Sequence, residues 1–407
     1  MKSFILFCRA IIDVGGSQLY ARNKAIYYKS KGWDVKIFSF RSGAIYIQGL
    51  EEYESCIFPE IGFPSFLYSK KEKERILKSI LSFIYKSEEY VIESDSILLS
   101  SWAEELAQKV HGKHFLYLLD EQPHTFGLNR DFLDFKYDRS EVAGITDKVI
   151  QFVFPDKYLN KTDNDGLVIQ AFCINSIDDI EGSNLHIKLN SEVKIGVLGR
   201  LNKPYVKPIT HKLVEYIKKN KNLNFSVVYI GGSPNQNEIN YLEYIYNKLP
   251  NAEMHVTGFI CPVPRTFLEK FDFFISTSGS ANALYKAGFL TISVDGYNFN
   301  PNGIMGITTD KTLDPEDNQP QLEKILNDLI VEKLYKKEQL TRNDYYDPNY
   351  YFEPHIKFVE NSKNLSNVYY NFNNIHLPLR FWILKVLLLF INPIWLHKIV
   401  DRFVTVR

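Results

Sequence analysis

Residues 193–203 read VKIGVLGRLNK, a short apolar run followed at once by a glycine and two cations. Such a run is typical of a strand buried in a parallel sheet, where ligands bind at the carboxyl ends of the strands. Gly199 lets a ligand approach the backbone, and the Arg200 guanidinium can grip a diphosphate with two hydrogen bonds. Lys203 or Lys207 would supply a second charge. The alternative interpretation is an ordinary solvated loop.

The alternation of short apolar runs with helix-period segments continues after this strand. This order is typical of a parallel sheet covered by helices. Strands are predicted at 193–198, 225–230, 254–257, 273–276 and 290–294, and helices near 209–219, 238–248, 265–270 and 281–287. The sequence therefore predicts an α/β domain over residues 193–345.

Small residues follow three of these later strands as well. Gly231 and Gly232 come after the second strand of the domain, and Gly258 and Phe259 come after the third, where a base could lie against backbone amides. The loop after residue 276 opens a helix, and small residues at a helix N-terminus bind anions. The candidates there are Ser278, Gly279, Ser280, Ala281 and Asn282. Together the loops predict a phosphorylated nucleotide ligand.

The N-terminal part of the chain repeats the α/β pattern. Gly15 and Gly16 precede a helix for which Ser17 is the predicted N-cap and Gly32 the stop, so they are candidates for phosphate approach, with plain turn chemistry as the alternative. The GxGxxG fingerprint is absent, which disfavours an NAD-dependent oxidoreductase. Strands are predicted at 3–8, 34–40, 96–99, 114–119, 148–152 and 167–169, with a helix at 102–110.

Composition excludes several classes of protein. The chain has 407 residues, of which 45% are hydrophobic, so it is neither disordered nor a disulfide-stapled miniprotein. Its 48 basic and 48 acidic residues cancel, so no overall field attracts nucleic acid, and no nucleic-acid partner is predicted. The candidate loops hold no DxD pair, so neither a metal nor another cofactor is predicted.

The domain prediction has five parts. An N-terminal Rossmann-like domain covers 1–172, a linker 173–192, the second Rossmann-like domain 193–345, a connecting helical segment 346–375 and an apolar tail 376–407. Polar residues and a proline interrupt the tail, so an interfacial amphipathic helix pair is favoured over a spanning helix. Its basic residues predict binding to an anionic membrane, and packing on the protein itself or in a dimer is the alternative.

The order of these motifs resembles that of the retaining, nucleotide-sugar-dependent glycosyltransferases with two facing Rossmann-like domains, the GT-B fold. The resemblance covers most of residues 1–365 and is strongest to the group that makes bacterial polysaccharides. It rests on Gly15-Gly16 before a helix, on Gly199-Arg200-Leu201 with a following lysine, on Gly231-Gly232, on Thr257-Gly258-Phe259, and on residues 272–278. The order of the five is more specific than any one of them.

The resemblance implies a hexosyltransferase that moves a sugar, with retention, from a nucleotide-diphosphate sugar to a lipid-linked or polysaccharide acceptor in surface polysaccharide synthesis. The C-terminal domain would hold the donor and the N-terminal domain the acceptor. Arg200 with Lys203 or Lys207 would stabilise the leaving diphosphate as the catalytic charges. The enzyme would be cytoplasmic, peripheral at the inner face of the cell membrane.

The sequence also departs from the family pattern. The family's pair of glutamates has no counterpart, since residues 276–288 contain no acidic residue. In place of the family's histidine after an N-terminal strand stand Asp120, Glu121 and His124, which are candidates for an acceptor-side cluster. Two alternatives therefore stay open, a catalytically inactive scaffold protein of the same fold and a nucleotide-sugar epimerase.

Overall fold

The chain folds into two compact units, each built around its own sheet. Unit 1 comprises Met1–Ile45, Gly49–Cys173 and Asp347–Arg407, and unit 2 comprises Tyr46–Gln48 and Ile174–Tyr346. The structure is a computed structural model. It describes residues 1–120, 130–159, 166–174, 177–178, 185, 187–336, 339–343, 346–361, 368–375, 377 and 379–396.

Unit 1 contains a five-stranded parallel sheet in the order β2-β1-β3-β4-β5. An inner strand of this sheet is apolar from Phe4 to Phe7 and fully buried there, as a strand covered on both faces must be. The elements in chain order are β1 (Lys2–Phe7), α1 (Gly16–Ser30), β2 (Asp34–Phe38), α2 (Lys70–Leu81), β3 (Glu89–Ser94), α3 (Ile97–Val110), β4 (Lys113–Leu118), α4 (Arg130–Asp138), β5 (Val142–Gly144), α5 (Asp147–Val153) and α6 (Pro155–Leu159).

Unit 2 contains a six-stranded sheet in the order β13-β12-β11-β7-β8-β9, parallel except for β13. Its elements are β6 (Ile177–Asp178), β7 (Val193–Leu198), α7 (Val206–Lys219), β8 (Phe225–Ile230), α8 (Gln236–Tyr246), β9 (Ala252–Val256), β10 (Val263–Pro264), α9 (Arg265–Leu268), β11 (Phe273–Ser276), α10 (Ser278–Lys286), β12 (Thr291–Val294), β13 (Pro301–Ile304) and α11 (Leu322–Leu326). The short strands β6 and β10 pair with each other. All five strands predicted for this unit are present within one or two residues of their predicted bounds.

The C-terminal helices belong to unit 1 and not to the unit that precedes them. Helix α12 (Pro348–Asn361) packs on α1 through Phe352 and His355, both fully buried. Helix α13 (Leu379–Phe390) contacts the turn at Ser65–Leu67. Among the described helices, none combines the length and the hydropathy that crossing a membrane requires.

Four predictions for unit 1 are wrong. Residues 96–99 and 148–152 are not strands but parts of the helices α3 and α5. In α5, Val149, Ile150 and Val153 are buried while Gln151 and Phe152 between them are exposed. This is helical spacing, so the short apolar run does not form a strand. The N-cap of α1 is Gly15, not Ser17, because the helix already begins at Gly16. Residues 167–169 form a single bridge to β5, between Gly144 and Val168.

Candidate functional site

The loops that follow β7 and β8 are in direct backbone contact. Both begin with a glycine at positive φ, +149° at Gly199 and +151° at Gly231. A Cβ on Gly231 would lie 2.1 Å from the carbonyl oxygen of Gly199, so no other residue fits there. The Gly199 N–H donates to the Ile230 carbonyl at 3.1 Å, and the Leu201 N–H donates to the Gly232 carbonyl at 3.0 Å. The two strand ends therefore form one continuous backbone surface.

The loop after β9 joins this surface. The Gly231 N–H donates to Thr257 Oγ1 at 3.1 Å, and a Cβ on Gly232 would lie 2.7 Å from the ring of Phe259. That ring lies 4.8 Å from the ring of Tyr46, tilted by 41°. Gly258 has φ +76°, and a Cβ at this position would meet no atom within 4 Å, so the side of the backbone on which it would lie is open. An aromatic ring and glycine backbone thus stand side by side here.

The loop between β11 and α10 is tied to the same edge. The Ser276 hydroxyl donates to the Leu198 carbonyl at 2.7 Å, which links the ends of β11 and β7. Ser278 takes the left-handed conformation, with φ +52°, and its N–H donates to the Thr312 carbonyl at 2.7 Å. Gly279, the next residue, has no such backbone requirement. All four predicted loops of unit 2 therefore meet at one sheet edge.

Only some of the residues predicted to bind an anion at the start of α10 have backbone N–H groups that are not already hydrogen-bonded. The Ser278 N–H is bound to Thr312, and the Ala281 N–H donates to the Thr277 carbonyl at 3.3 Å. The N–H groups of Gly279 and Ser280 lie in the first turn of α10, where a helix supplies no acceptor. These two groups are the donors that an anion would meet, at the positive end of the helix dipole.

The three predicted cations have different surroundings. Arg200 is half-buried, and among the described residues its guanidinium has no ion-pair partner. Lys203 is exposed, and its N–H donates to the Arg200 carbonyl at 3.1 Å, which closes a turn. Lys207 lies on α7 with its Nζ 5.4 Å from the centre of the Tyr241 ring. Arg200 is thus a cation of this loop that no described carboxylate neutralises.

Unit 1 carries a second polar site, at the carboxyl ends of β1, β3 and β4. A cavity of about 250 Å³ is lined there by Arg9, Ser17, Gln18, Arg41, Asp95 and Asp120, among others. Arg9 Nη1 donates to Asp120 Oδ2 at 2.7 Å. Asp120, predicted for an acceptor-side cluster, therefore lines a cavity. Glu121 and His124 lie outside the described residues.

Asp95 is the chemically distinctive group of this cavity. Its residue is 4% exposed, and its Oδ1 has no hydrogen-bond partner among the residues that the structure describes. Burial raises the pKa of the Asp95 carboxyl to about 8, against the Arg9 guanidinium, while the negative charges of Asp120 and Glu93 raise it further. A carboxyl with that pKa changes protonation near neutral pH, which suits acid and base chemistry or proton-dependent binding.

Sequence reasoning missed Asp95, although a signal was available. Asp95 stands directly after β3, at a strand end like those that carry the candidate loops of unit 2. Interpreting residues 96–99 as a strand places residue 95 before a strand and not at the end of one. Gly15 and Gly16, predicted as donor contacts, cap and begin α1 of unit 1, next to the cavity residues Ser17 and Gln18.

Unit 1 also contains a buried cluster of charged side chains around Glu93, near the carboxyl end of β3. Lys24 Nζ contacts the Glu93 carboxylate, and both side chains are fully buried. Tyr20 donates its hydroxyl to Glu93 at 2.6 Å, and His355 Nδ1 lies 3.1 Å from Lys24 Nζ. Burial lowers the pKa of Lys24 to about 8, against the attraction of Glu93. The cluster joins α1, β3 and α12.

Within the described ranges, no group of three or more acidic, histidine or cysteine side chains is placed to hold an ion.

Comparison with known proteins rests on structure alone. No family model and no curated protein match the sequence. HepE of Anabaena in complex with UDP-glucose is 13% identical with a TM-score of 0.53, over 88% of this chain and 98% of that one. A glycosyltransferase of Rickettsia africae is 15% identical with a TM-score of 0.49, over 90% and 100%. The UDP-GlcNAc 2-epimerase of Neisseria meningitidis bound to UDP-GlcNAc is 14% identical with a TM-score of 0.46, over 89% and 100%.

Of these three, HepE alone exceeds a TM-score of 0.5, and the similarity extends over nearly the whole of both chains. At 13% identity, this similarity is evidence for the fold alone. It agrees with the two sheets, their parallel order and the glycine loops at their edges. The chain therefore has the α/β GT-B fold, as the resemblance of its motifs implied.

Proposed function

We propose that the protein is a glycosyltransferase that takes a sugar from a nucleotide-diphosphate sugar held by unit 2. The observation that carries this proposal is the meeting of four glycine- and serine-rich loops at one sheet edge, with Arg200 among them. Ligands of open parallel sheets bind at this edge. HepE, which shares the fold, has been solved with UDP-glucose, so UDP-glucose is the first donor to test.

The diphosphate has a natural place at this edge. The Arg200 guanidinium can donate two hydrogen bonds to phosphate oxygens, and the N–H groups of Gly279 and Ser280 are two further donors. The ring of Phe259 and the backbone at Gly258 are suited to a flat base. In this proposal the diphosphate and the base are therefore both bound by unit 2.

The reaction we propose needs no protein carboxylate on α10. The bond from the anomeric carbon to the diphosphate oxygen breaks, the acceptor hydroxyl oxygen bonds to that carbon on the same face, and its proton passes to an oxygen of the leaving diphosphate. The negative charge that grows on the diphosphate is met by Arg200 and the two N–H groups. Such preorganised charge stabilisation is worth several kcal/mol in many enzymes.

The acceptor in this proposal is lipid-linked or a polysaccharide, and the C-terminal helix brings the enzyme to the membrane. Helix α13 exposes apolar side chains at helical spacing, among them Trp382, 57% exposed, and Phe390, 83% exposed. Solvent contact of this extent is costly for aromatic residues, and an interfacial position relieves it. The proposed location is the cytoplasmic face of the cell membrane.

Vesicle flotation tests the membrane proposal. The full chain should float with vesicles that contain anionic lipid, and a version ending at Ile375 should not. A matched control replaces Trp382 and Phe390 by Ser in the full chain, which removes apolar area and keeps every charge. Equal flotation of all three proteins would show that the helix is a packing or dimer element instead.

A nucleotide-sugar epimerase is the second candidate, and Asp95 favours it. An epimerase needs a group that changes protonation near neutral pH, and unit 1 has one. The two activities differ in their products. With UDP-glucose and a lipid-linked acceptor, a transferase releases UDP and lengthens the acceptor, whereas an epimerase converts the sugar nucleotide without acceptor. Nucleotide binding without either product would favour the scaffold protein.

A further inference from the structure

One peptide group at the end of β7 is hydrogen-bonded on both of its sides. The Leu198 carbonyl and the Gly199 N–H belong to this planar group and point in opposite directions. The Gly199 N–H donates to the Ile230 carbonyl at 3.1 Å. The Leu198 carbonyl accepts from two hydroxyls, that of Tyr205 at 3.0 Å and that of Ser276 at 2.7 Å. Three hydrogen bonds therefore fix the plane of this peptide group.

The peptide group that follows Arg200 is fixed in the same way. The Arg200 carbonyl accepts from the Lys203 N–H at 3.1 Å, and the Leu201 N–H donates to the Gly232 carbonyl at 3.0 Å. Between the two fixed peptide groups lie only the Cα atoms of Gly199 and Arg200. The conformations of these two residues therefore determine the direction in which the Arg200 side chain leaves the backbone.

Gly199 does not hold its conformation by itself. Its φ of +149° is one that residues with a Cβ rarely adopt, and glycine has the widest choice of backbone conformations. A Cβ on Gly199 would lie 2.5 Å from the Tyr205 hydroxyl, so that hydroxyl packs directly against the glycine. Because glycine imposes no conformation, the hydrogen bonds to the peptide group before it must select one.

The two hydroxyls that bind the Leu198 carbonyl come from different elements. Tyr205 directly precedes α7, and Ser276 is the last residue of β11. Tyr205 is 2% exposed and Ser276 is fully buried, so neither side chain is a surface that a donor could contact. Burial raises the pKa of the Tyr205 hydroxyl, so it keeps the proton that it donates. Any effect of these hydroxyls on a ligand must therefore pass through the backbone.

We propose that Tyr205 and Ser276 are positioning residues of the donor site, which orient the Arg200 guanidinium toward the diphosphate by fixing the peptide group before Gly199. This inference rests on the proposed function, in which Arg200 binds the diphosphate. A guanidinium that is already oriented loses less freedom on binding and meets two phosphate oxygens in the geometry of a bidentate contact. Removing either hydroxyl should weaken donor binding, although neither hydroxyl contacts the donor.

Tyr205→Phe is the direct test, because it keeps the ring and removes only the hydroxyl. Equilibrium dialysis of radiolabelled UDP-glucose against the full chain should show affinity about fivefold lower than that of the wild type. Ser276→Ala should have a similar effect. Tyr216→Phe is the matched control, since Tyr216 is an equally buried tyrosine on α7 whose hydroxyl donates to Asn327 Oδ1 at 3.1 Å. This control should bind as the wild type does.

A double-mutant cycle distinguishes orientation of Arg200 from general support of the fold. In Arg200→Ala no guanidinium is left to orient, so adding Tyr205→Phe should change the affinity by less than about twofold. An equal loss in both backgrounds would overturn the proposal, and so would wild-type affinity in Tyr205→Phe. If Tyr205→Phe fails to fold, Ser276→Ala takes its place in the cycle.

Uridine provides a second comparison, because it has no phosphate for Arg200 to bind. It should compete with UDP-glucose equally well for the wild type and for Tyr205→Phe, and this comparison decides if the double variant binds too weakly to measure. A fivefold loss for uridine as well would overturn the proposal. Wild-type affinity for UDP-glucose in Arg200→Ala would overturn both this inference and the proposed function. A loss in Arg200→Ala without one in Tyr205→Phe would overturn this inference alone.

Discussion

Replacing Asp95 by Asn should change how the stability of unit 1 depends on pH. Asn keeps the size of the side chain and cannot ionise. In the wild type, the pKa rises from 3.8 in the unfolded chain to about 8 in the folded protein. A raised pKa means that the contribution of Asp95 to stability is fully present below about pH 4 and is lost as pH rises toward about 8.

The size of the effect follows from the shift. Each pH unit between the two pKa values costs about 1.4 kcal/mol, so between pH 5 and pH 8 the wild type should lose on the order of 4 kcal/mol that the variant keeps. The variant therefore gains relative stability steadily across this range. Its advantage should level off above about pH 8, where the folded wild type is ionised.

Urea unfolding followed by tryptophan fluorescence measures this directly. All four tryptophans, Trp33, Trp102, Trp382 and Trp395, belong to unit 1, so the signal reports on the unit that holds Asp95. Asp131→Asn, at an exposed position on α4, is the matched control and should show no such trend. A difference between Asp95→Asn and wild type that stays constant within about 1 kcal/mol from pH 5 to pH 8.5 would refute the reasoning.

Two further predictions concern one residue in each unit. Gly279→Val should fold normally, because the added Cβ would meet no atom within 4 Å, but it should bind UDP-glucose far more weakly because the diphosphate approaches that backbone in our proposal. Unchanged affinity in calorimetric titration would show that the donor binds elsewhere. Glu93→Gln should lower the free energy of unfolding of unit 1 by about 3 kcal/mol or more at pH 7, because it leaves Lys24 buried without its counter-charge. A decrease of less than about 1 kcal/mol in urea unfolding would contradict this.

The inner strands of unit 2 were predictable because they are buried on both faces and appear as short, mainly apolar runs. Phe225–Ile230 is an example, with all six residues buried. Strand β3 was missed because Glu89–Ser94 carries charged residues, one of which, Glu93, is buried against Lys24. A pairing between residues 69 positions apart leaves no local trace in a sequence.

The positions of the site loops were predictable, whereas their internal geometry was not. Glycines after strands indicated where backbone would be exposed, but the contact between Gly199 and Gly231 depends on the pairing of β7 with β8. In the loop before α10, the left-handed residue is Ser278 and not the glycine beside it. Its N–H is held by Thr312, a partner that no spacing rule identifies.

Calorimetric titration of Arg200→Ala with UDP-glucose tests the central claim most directly. Arg200 has no described ion-pair partner to lose, so the variant should fold as the wild type does. The lost charge-assisted contacts, about 1.5 to 3 kcal/mol each, should weaken donor binding at least about tenfold. Lys219→Ala, an exposed cation on α7, should bind normally. Wild-type affinity in Arg200→Ala, with the wild type itself binding UDP-glucose, would contradict the donor site that we propose for unit 2.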